Sequence, residues 1–131
     1  MREIRRYEAF DGTMFDSEKD CRDYERKEDK RLHDLFDERF EAVSVSDDIQ
    51  NYVAGCCSEP VFRFTAFEGW DKVVLYLGMA EDMGRYYIAG DKEVMGQTYL
   101  LFTDTYWGYI VDPEVLRESM MRDADQVCRL V

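Results

Sequence analysis

The sequence predicts an α+β fold: an N-terminal β-hairpin and a long charged helix, followed by a small antiparallel sheet covered by helices. Three observations predict it. Asp11-Gly12 sits between two short apolar stretches, the pattern of a tight hairpin turn, because Gly accepts the positive φ that such a turn requires. Residues 18–42 keep helical spacing at both ends and are almost all charge in between. Strand-like alternation appears only later, at Val61–Phe67, and then recurs. At 131 residues the chain fits one domain, 1–131, with a hairpin–helix subregion over 1–43 and an α+β core over 44–131.

The elements follow in order. Ile4–Phe10 and Thr13–Phe15 form the hairpin strands. Ser17 caps the next helix, with Asp20 three residues on, and acidic residues at 16, 18 and 20 suit the positive end of its dipole. Within that helix Glu18–Arg22 and Asp23–Lys27 stand four apart, as in a solvated helix. Leu32, Leu35, Phe36, Phe40 and Val43 give its far end a packing stripe. The charged middle reads as a solvated face, or as a recognition or dimer surface. Ser44–Asp48 breaks the chain, and Ile49–Cys56 forms a short helix. In Val61–Phe67, Phe62, Phe64 and Ala66 share one strand face. Trp70, Val73, Val74 and Leu77 predict a helix to about Met83, although Lys72–Leu77 also suits a strand. Gly84 ends that helix, and Arg85–Ala89 is a short strand before a charged loop over 90–96. Thr98–Phe102 and Trp107–Val111 pair through residues 103–106. Asp112-Pro113 then opens the last helix, with Asp112 as cap. The expected sheet carries its helices on one face, and the hairpin and charged helix protrude from it.

Composition excludes several functions. The net charge is −12, with 17 acidic against 10 basic side chains in residues 1–60 and 12 against 7 in residues 61–131. Without a basic stripe, direct binding to nucleic-acid phosphates or to an anionic membrane is disfavoured. An acidic surface suits a basic protein partner, or simply keeps a small protein soluble. No apolar run reaches the ~18 residues of a membrane span. The charged start, Met1–Arg6, lacks the apolar core of a signal peptide, which implies a cytoplasmic protein with reduced cysteines.

Catalytic patterns are missing. Cys21, Cys56, Cys57 and Cys128 show no metal-ligand spacing, and the single histidine, His33, has no nucleophile near it in sequence. Cys56 or Cys57 could serve as a nucleophile, but nothing in sequence activates either. No phosphate-binding loop, dinucleotide fingerprint or nucleophile elbow occurs. The expectation is a non-enzymatic protein with no cofactor and no metal. The late aromatics are more informative. Tyr86, Tyr87, Tyr99, Tyr106, Trp107 and Tyr109 crowd around the last strands, beside Asp91, Glu93, Asp104 and Asp112. Aromatics with an acidic rim resemble an interface core, although burial between sheet and helices accounts for them equally. The candidate partner-binding residues are Tyr86, Tyr87, Asp91, Glu93, Asp104, Tyr106, Trp107 and Asp112.

One segment carries a resemblance. Tyr7-x-Ala9-x-Asp11-Gly12-x-x-Phe15, followed by Cys21-x-x-Tyr24-Glu25, resembles the N-terminal segment of small phage and prophage accessory proteins. In packing terms, Phe15, Cys21 and Tyr24 would tie the hairpin to the first helix turns. The resemblance implies a mobile-element protein acting in the host bacterial cytoplasm. Short, acidic proteins of that kind include anti-CRISPR inhibitors, many of which occupy the basic groove of a nuclease. The expected function is a non-catalytic inhibitor of a bacterial defence nuclease, such as a CRISPR effector with a basic groove, with no direct contact to nucleic acid. The alternative is a phage accessory or regulatory module that binds another protein, with a homodimer as one form.

Overall fold

A computed structural model describes residues 3–56, 58–104 and 106–130. Expectations resting on Met1, Arg2, Cys57, Thr105 and Val131 lie outside the described residues.

Strands β1 (Tyr7–Glu8) and β2 (Met14–Phe15) pair antiparallel, Tyr7 opposite Phe15. Gly12 takes the left-handed conformation (φ +89°) in the turn, and Asp11 Oδ1 accepts the Thr13 amide at 3.0 Å. Helix α1 (Glu18–Arg39) starts at Ser17, whose hydroxyl accepts the Asp20 amide at 3.3 Å. The hairpin does not protrude. Tyr24 donates to Asp11 at 2.5 Å, the Phe15 and Tyr24 rings meet at 5.1 Å, and Ala9 and Cys21 are buried. Phe10 packs on Tyr76 at 4.6 Å, so the hairpin also leans on α3 (Trp70–Tyr76).

Helix α1 stops three residues before its expected end. Phe40 turns extended and opens β3 (Phe40–Val43), which pairs with β4 (Val61–Thr65). Phe40 fits a strand as well as a helix, because it lands opposite Phe64 with the rings stacked at 4.9 Å. Between these strands α2 (Asp47–Ala54) is capped by Ser46 and closed by Gly55 in the left-handed region. The open reading over 72–77 resolves as helix, but α3 ends at Tyr76, well before Met83. Gly78 (φ +70°) turns the chain, and the Glu81 and Asp82 amides bond to the Tyr106 carbonyl. That tie starts β5 (Asp82–Arg85) earlier than the strand expected at Arg85–Ala89. Strands β6 (Thr98–Thr103) and β7 (Trp107–Val111) and helix α4 (Pro113–Arg129) lie as expected, with Asp112 capping α4.

The five-stranded sheet runs β3-β4-β6-β7-β5 and is antiparallel except where β5 runs parallel to β7. The fold is therefore the expected α+β arrangement, with helices on both faces rather than one. Alternation along the strands sends Phe62, Phe64, Tyr99, Leu101 and Ile110 toward Leu32 of α1 and Trp70, Val73 and Val74 of α3. The intervening Val61, Phe102 and Val111 face Leu116 and Met120 of α4 and Ile49, Tyr52 and Val53 of α2.

Candidate protein-interaction face

The α2/α4 side of the sheet gathers most of the late aromatics. Tyr109 on β7 meets Tyr86 edge-on at 4.9 Å and lies 6.4 Å from Trp107. Gly84 makes this packing fit, because a Cβ there would stand 2.3 Å from the Tyr86 ring and 2.6 Å from Trp107 Nε1. Among the described residues that indole nitrogen is buried without a hydrogen-bond partner, an unusual state for a buried donor. Asp104 organises the preceding turn. It accepts the amides of Tyr106 (2.8 Å) and Trp107 (2.5 Å) and the Tyr109 hydroxyl (3.0 Å). Burial alone would raise the Asp104 pKa, but these three donors together hold it below the ordinary value. Burial and then the Asp104 carboxylate push the Tyr109 phenol up to about 12.

A second aromatic pair joins this face to the helices. Tyr87 stacks on Tyr52 of α2 at 5.7 Å, and Tyr52 donates to Asp123 of α4 at 2.6 Å, with Ser119 Oγ at 3.0 Å. Tyr87 holds a positive φ of 54°, an uncommon state for an aromatic residue. Its carbonyl accepts the Asp112 amide at 3.0 Å, so ring stacking and backbone bonding together hold the turn.

Tyr86, Trp107 and Asp104 thus come together around Tyr109, with Tyr106 (65% exposed) on the adjoining turn. The expected acidic rim is built differently. Asp104 is occupied within its turn. Asp112 caps α4 and accepts Gln97 Nε2 at 2.6 Å. Glu93 faces the α1/α3 side, where it pairs with Arg85 at 2.5 Å and accepts the Trp70 indole at 2.9 Å. The Arg85 contact, reinforced by Trp70 against the opposing effect of burial, holds Glu93 down at about 2. Asp91 is exposed in its loop. Exposed carboxylates of the α2/α4 side are instead Asp47, Asp48, Glu59, Glu114, Glu118, Asp123 and Asp125. Tyr52 and Asp123 were missing from the expected set. They lie 71 positions apart, and no local signal in sequence links them.

The charge is unevenly distributed over the molecule. Helix α1 holds nine acidic and seven basic side chains, and its bases pair along the helix: Arg22 with Glu18, Lys30 with Asp34 at 3.2 Å, Arg31 with Glu28 at 2.8 Å. Residues 44–60 and 104–130, which supply α2, α4 and the turn before β7, hold nine acidic and three basic side chains. These two segments thus carry half of the net charge of −12.

Groups with chemical potential are held structurally. Burial, with a bond to Glu25 at 3.4 Å, pushes the Cys21 thiol pKa up, away from the thiolate a nucleophile needs. His33 stands 3.4 Å from Asp29. Cys56 Sγ lies 3.9 Å from the Thr103 carbonyl. Among the described residues, no three His, Cys, Asp or Glu side chains converge as a metal site, and no helix is long and apolar enough to cross a membrane. The chain matches no family model, no curated protein and no solved structure.

Proposed function

We propose that this chain is a non-catalytic protein ligand for a basic surface, and specifically an inhibitor of a bacterial defence nuclease of the anti-CRISPR kind. The observation that carries this reading is the nine-to-three excess of acid over base on the α2/α4 side, beside the Tyr86–Trp107–Tyr109 cluster. A field of one sign steers a basic partner in, and partly exposed aromatics supply area that water leaves on contact. A nuclease groove built for phosphates offers the complementary charge. The hairpin–helix opening supports the phage context, and the N-terminal residues that carry it are occupied in packing rather than in binding: Phe15 on Tyr24, and Tyr24 on Asp11.

The test is retention of host proteins from a bacterium with CRISPR systems on the immobilised full chain, eluted with rising salt. A defence nuclease retained at low salt and released at high salt is the expected result, together with loss of its DNA cleavage when the chain is added. Retention of no nuclease component at low salt overturns the proposal.

A further inference from the structure

Helix α4 outruns the body it packs on. Its first half is anchored by Leu116, and the Tyr52 hydroxyl reaches Ser119 and Asp123, but every residue from Met121 to Leu130 is exposed, although the helix continues to Arg129. This free stretch is patterned. Around Ala124, the residues three and four positions away on both sides are Met120, which packs on the sheet, and Met121, Val127 and Cys128, so four exposed apolar side chains, Ala124 included, share one face. Met121 is 55% exposed and Val127 is 61% exposed. Asp123 and Asp125, one position either side of Ala124, form the shoulders of the strip, and Glu118 extends the Asp125 shoulder. Arg122 and Arg129, two and five positions away, stand on the opposite side of the helix. Among the described residues no base pairs with Glu118, Asp123 or Asp125.

We infer that the free half of α4 is the docking element for the basic partner, inserting its apolar strip into an apolar groove edged by Lys or Arg. This rests on the function proposed above and names the part of the acidic side that carries the contact. Charge complementarity selects this occupant over a second copy. Two antiparallel α4 helices crossing at Ala124 would set Asp123 against Asp123 and Asp125 against Asp125, and like charges at close range oppose that pairing. A partner with a cationic rim meets the same carboxylates favourably, and the helix-in-groove mode uses this three- and four-residue spacing.

The probe is a fluorescent amphipathic helical peptide of leucine and lysine, titrated with the full chain and read by anisotropy. The same peptide with glutamate in place of lysine serves as control. The lysine peptide is expected to bind and the glutamate peptide not. Met121→Gln with Val127→Gln should weaken binding by about tenfold or more, as for loss of interface anchors. Glu118→Gln with Asp125→Gln should weaken it less and flatten its salt dependence. All four positions are exposed, so circular dichroism and the unfolding midpoint should match the parent. Asp47→Asn with Asp48→Asn should leave the affinity within about twofold. Unchanged binding in both α4 variants, with loss in the Asp47/Asp48 variant, overturns the α4 assignment and leaves the basic-partner reading standing. No binding of the lysine peptide by the parent chain overturns both. A concentration-dependent dimer in sedimentation, abolished by Met121→Gln with Val127→Gln, overturns the assignment in favour of self-association.

Discussion

The side of the sheet under α1 and α3 buries Trp70, Phe64, Tyr99, Leu101 and Ile110, whereas the side under α2 and α4 buries Val61, Phe102, Val111 and Leu116. The first side also closes its polar groups inward. Tyr76 donates to Asp29 at 2.5 Å, Lys72 lies 3.8 Å from Asp11 and 3.9 Å from Glu28, and Glu93 joins Arg85 to Trp70. These ties link hairpin, α1, α3 and the 86–97 loop. On the second side the carboxylates of residues 44–60 and 104–130 outnumber the bases, and α4 runs past its support. The contrast separates two tasks: one face concentrates stability, which leaves the other free to keep unneutralised charge and partly exposed rings.

Core truncation should produce the largest effects and test that separation directly. Trp70→Ala removes a fully buried indole and the donor to Glu93, and should cost about 3–5 kcal/mol. Leu116→Ala should fall near the lower end of the ~2–5 kcal/mol range for such a change, because α4 is packed on one side only and can settle inward. Urea unfolding followed by circular dichroism measures both. Equal losses would break the comparison, since both cores would then carry similar weight.

An intermediate effect is expected at Gly84→Ala, which probes how tightly the aromatic cluster is built. The new Cβ would collide with the Tyr86 and Trp107 rings, and the cost of such overpacking is about 1–3 kcal/mol. Tyr86 is 43% exposed and can swing outward, which favours the lower part of that range. In a Trp70→Phe background, fluorescence reports Trp107 alone and should shift to the red as the ring moves toward water. Unchanged emission with unchanged stability would mean that the cluster is loosely packed and Gly84 is not needed for it.

The same contrast explains what could be read along the chain. Helix caps and turns depend on neighbouring residues, so Ser17, Gly12 and Asp112-Pro113 were legible, as were the paired strands before α4. Boundaries set by distant partners were not. Phe40 continues the helical spacing of Leu32 and Phe36, yet β4 draws it into the sheet. Met83 is the expected end of the helix begun at Trp70, yet bonds from Glu81 and Asp82 to the Tyr106 carbonyl make its segment a strand. The alternation of Phe62 and Phe64 indicates that one strand face is buried, but Val61 shows that the other is buried too. Only the placement of α2 and α4 explains that. The aromatic cluster was visible as a composition bias, and its members Tyr86 and Trp107 both pack on Tyr109. Its acidic rim was misjudged because a carboxylate's neighbours in sequence do not reveal that Glu93 turns to Arg85 or that Asp112 takes Gln97.

The smallest effects should come from pH, and they sharpen the comparison by assigning each limb to a side. Glu93 titrates at about 2 in the fold against an ordinary 4.5, and Asp11, held mainly by the Tyr24 hydroxyl and then by the Thr13 amide, at about 2 against 3.8. A depressed folded pKa means that the contribution is present above the unfolded value and disappears as pH falls through the folded one. Stability should therefore decline from about pH 4.5 down to about pH 2, chiefly through contacts on the α1/α3 side. Tyr76 and Tyr109 are raised from 10.0 to about 12, the first by its bond to Asp29 and the second by burial and then by Asp104. A raised folded pKa reverses the sign, so their contribution is complete below pH 10 and is lost as pH climbs through about 12. The alkaline limb draws on both sides of the sheet. Urea midpoints measured across pH should then show Glu93→Gln flattening the acid limb more than Asp104→Asn does, while Tyr109→Phe and Tyr76→Phe each remove part of the alkaline limb. An acid limb that responded to Asp104→Asn and ignored Glu93→Gln would move the main pH-sensitive contacts to the α2/α4 side and reverse the division between the two faces.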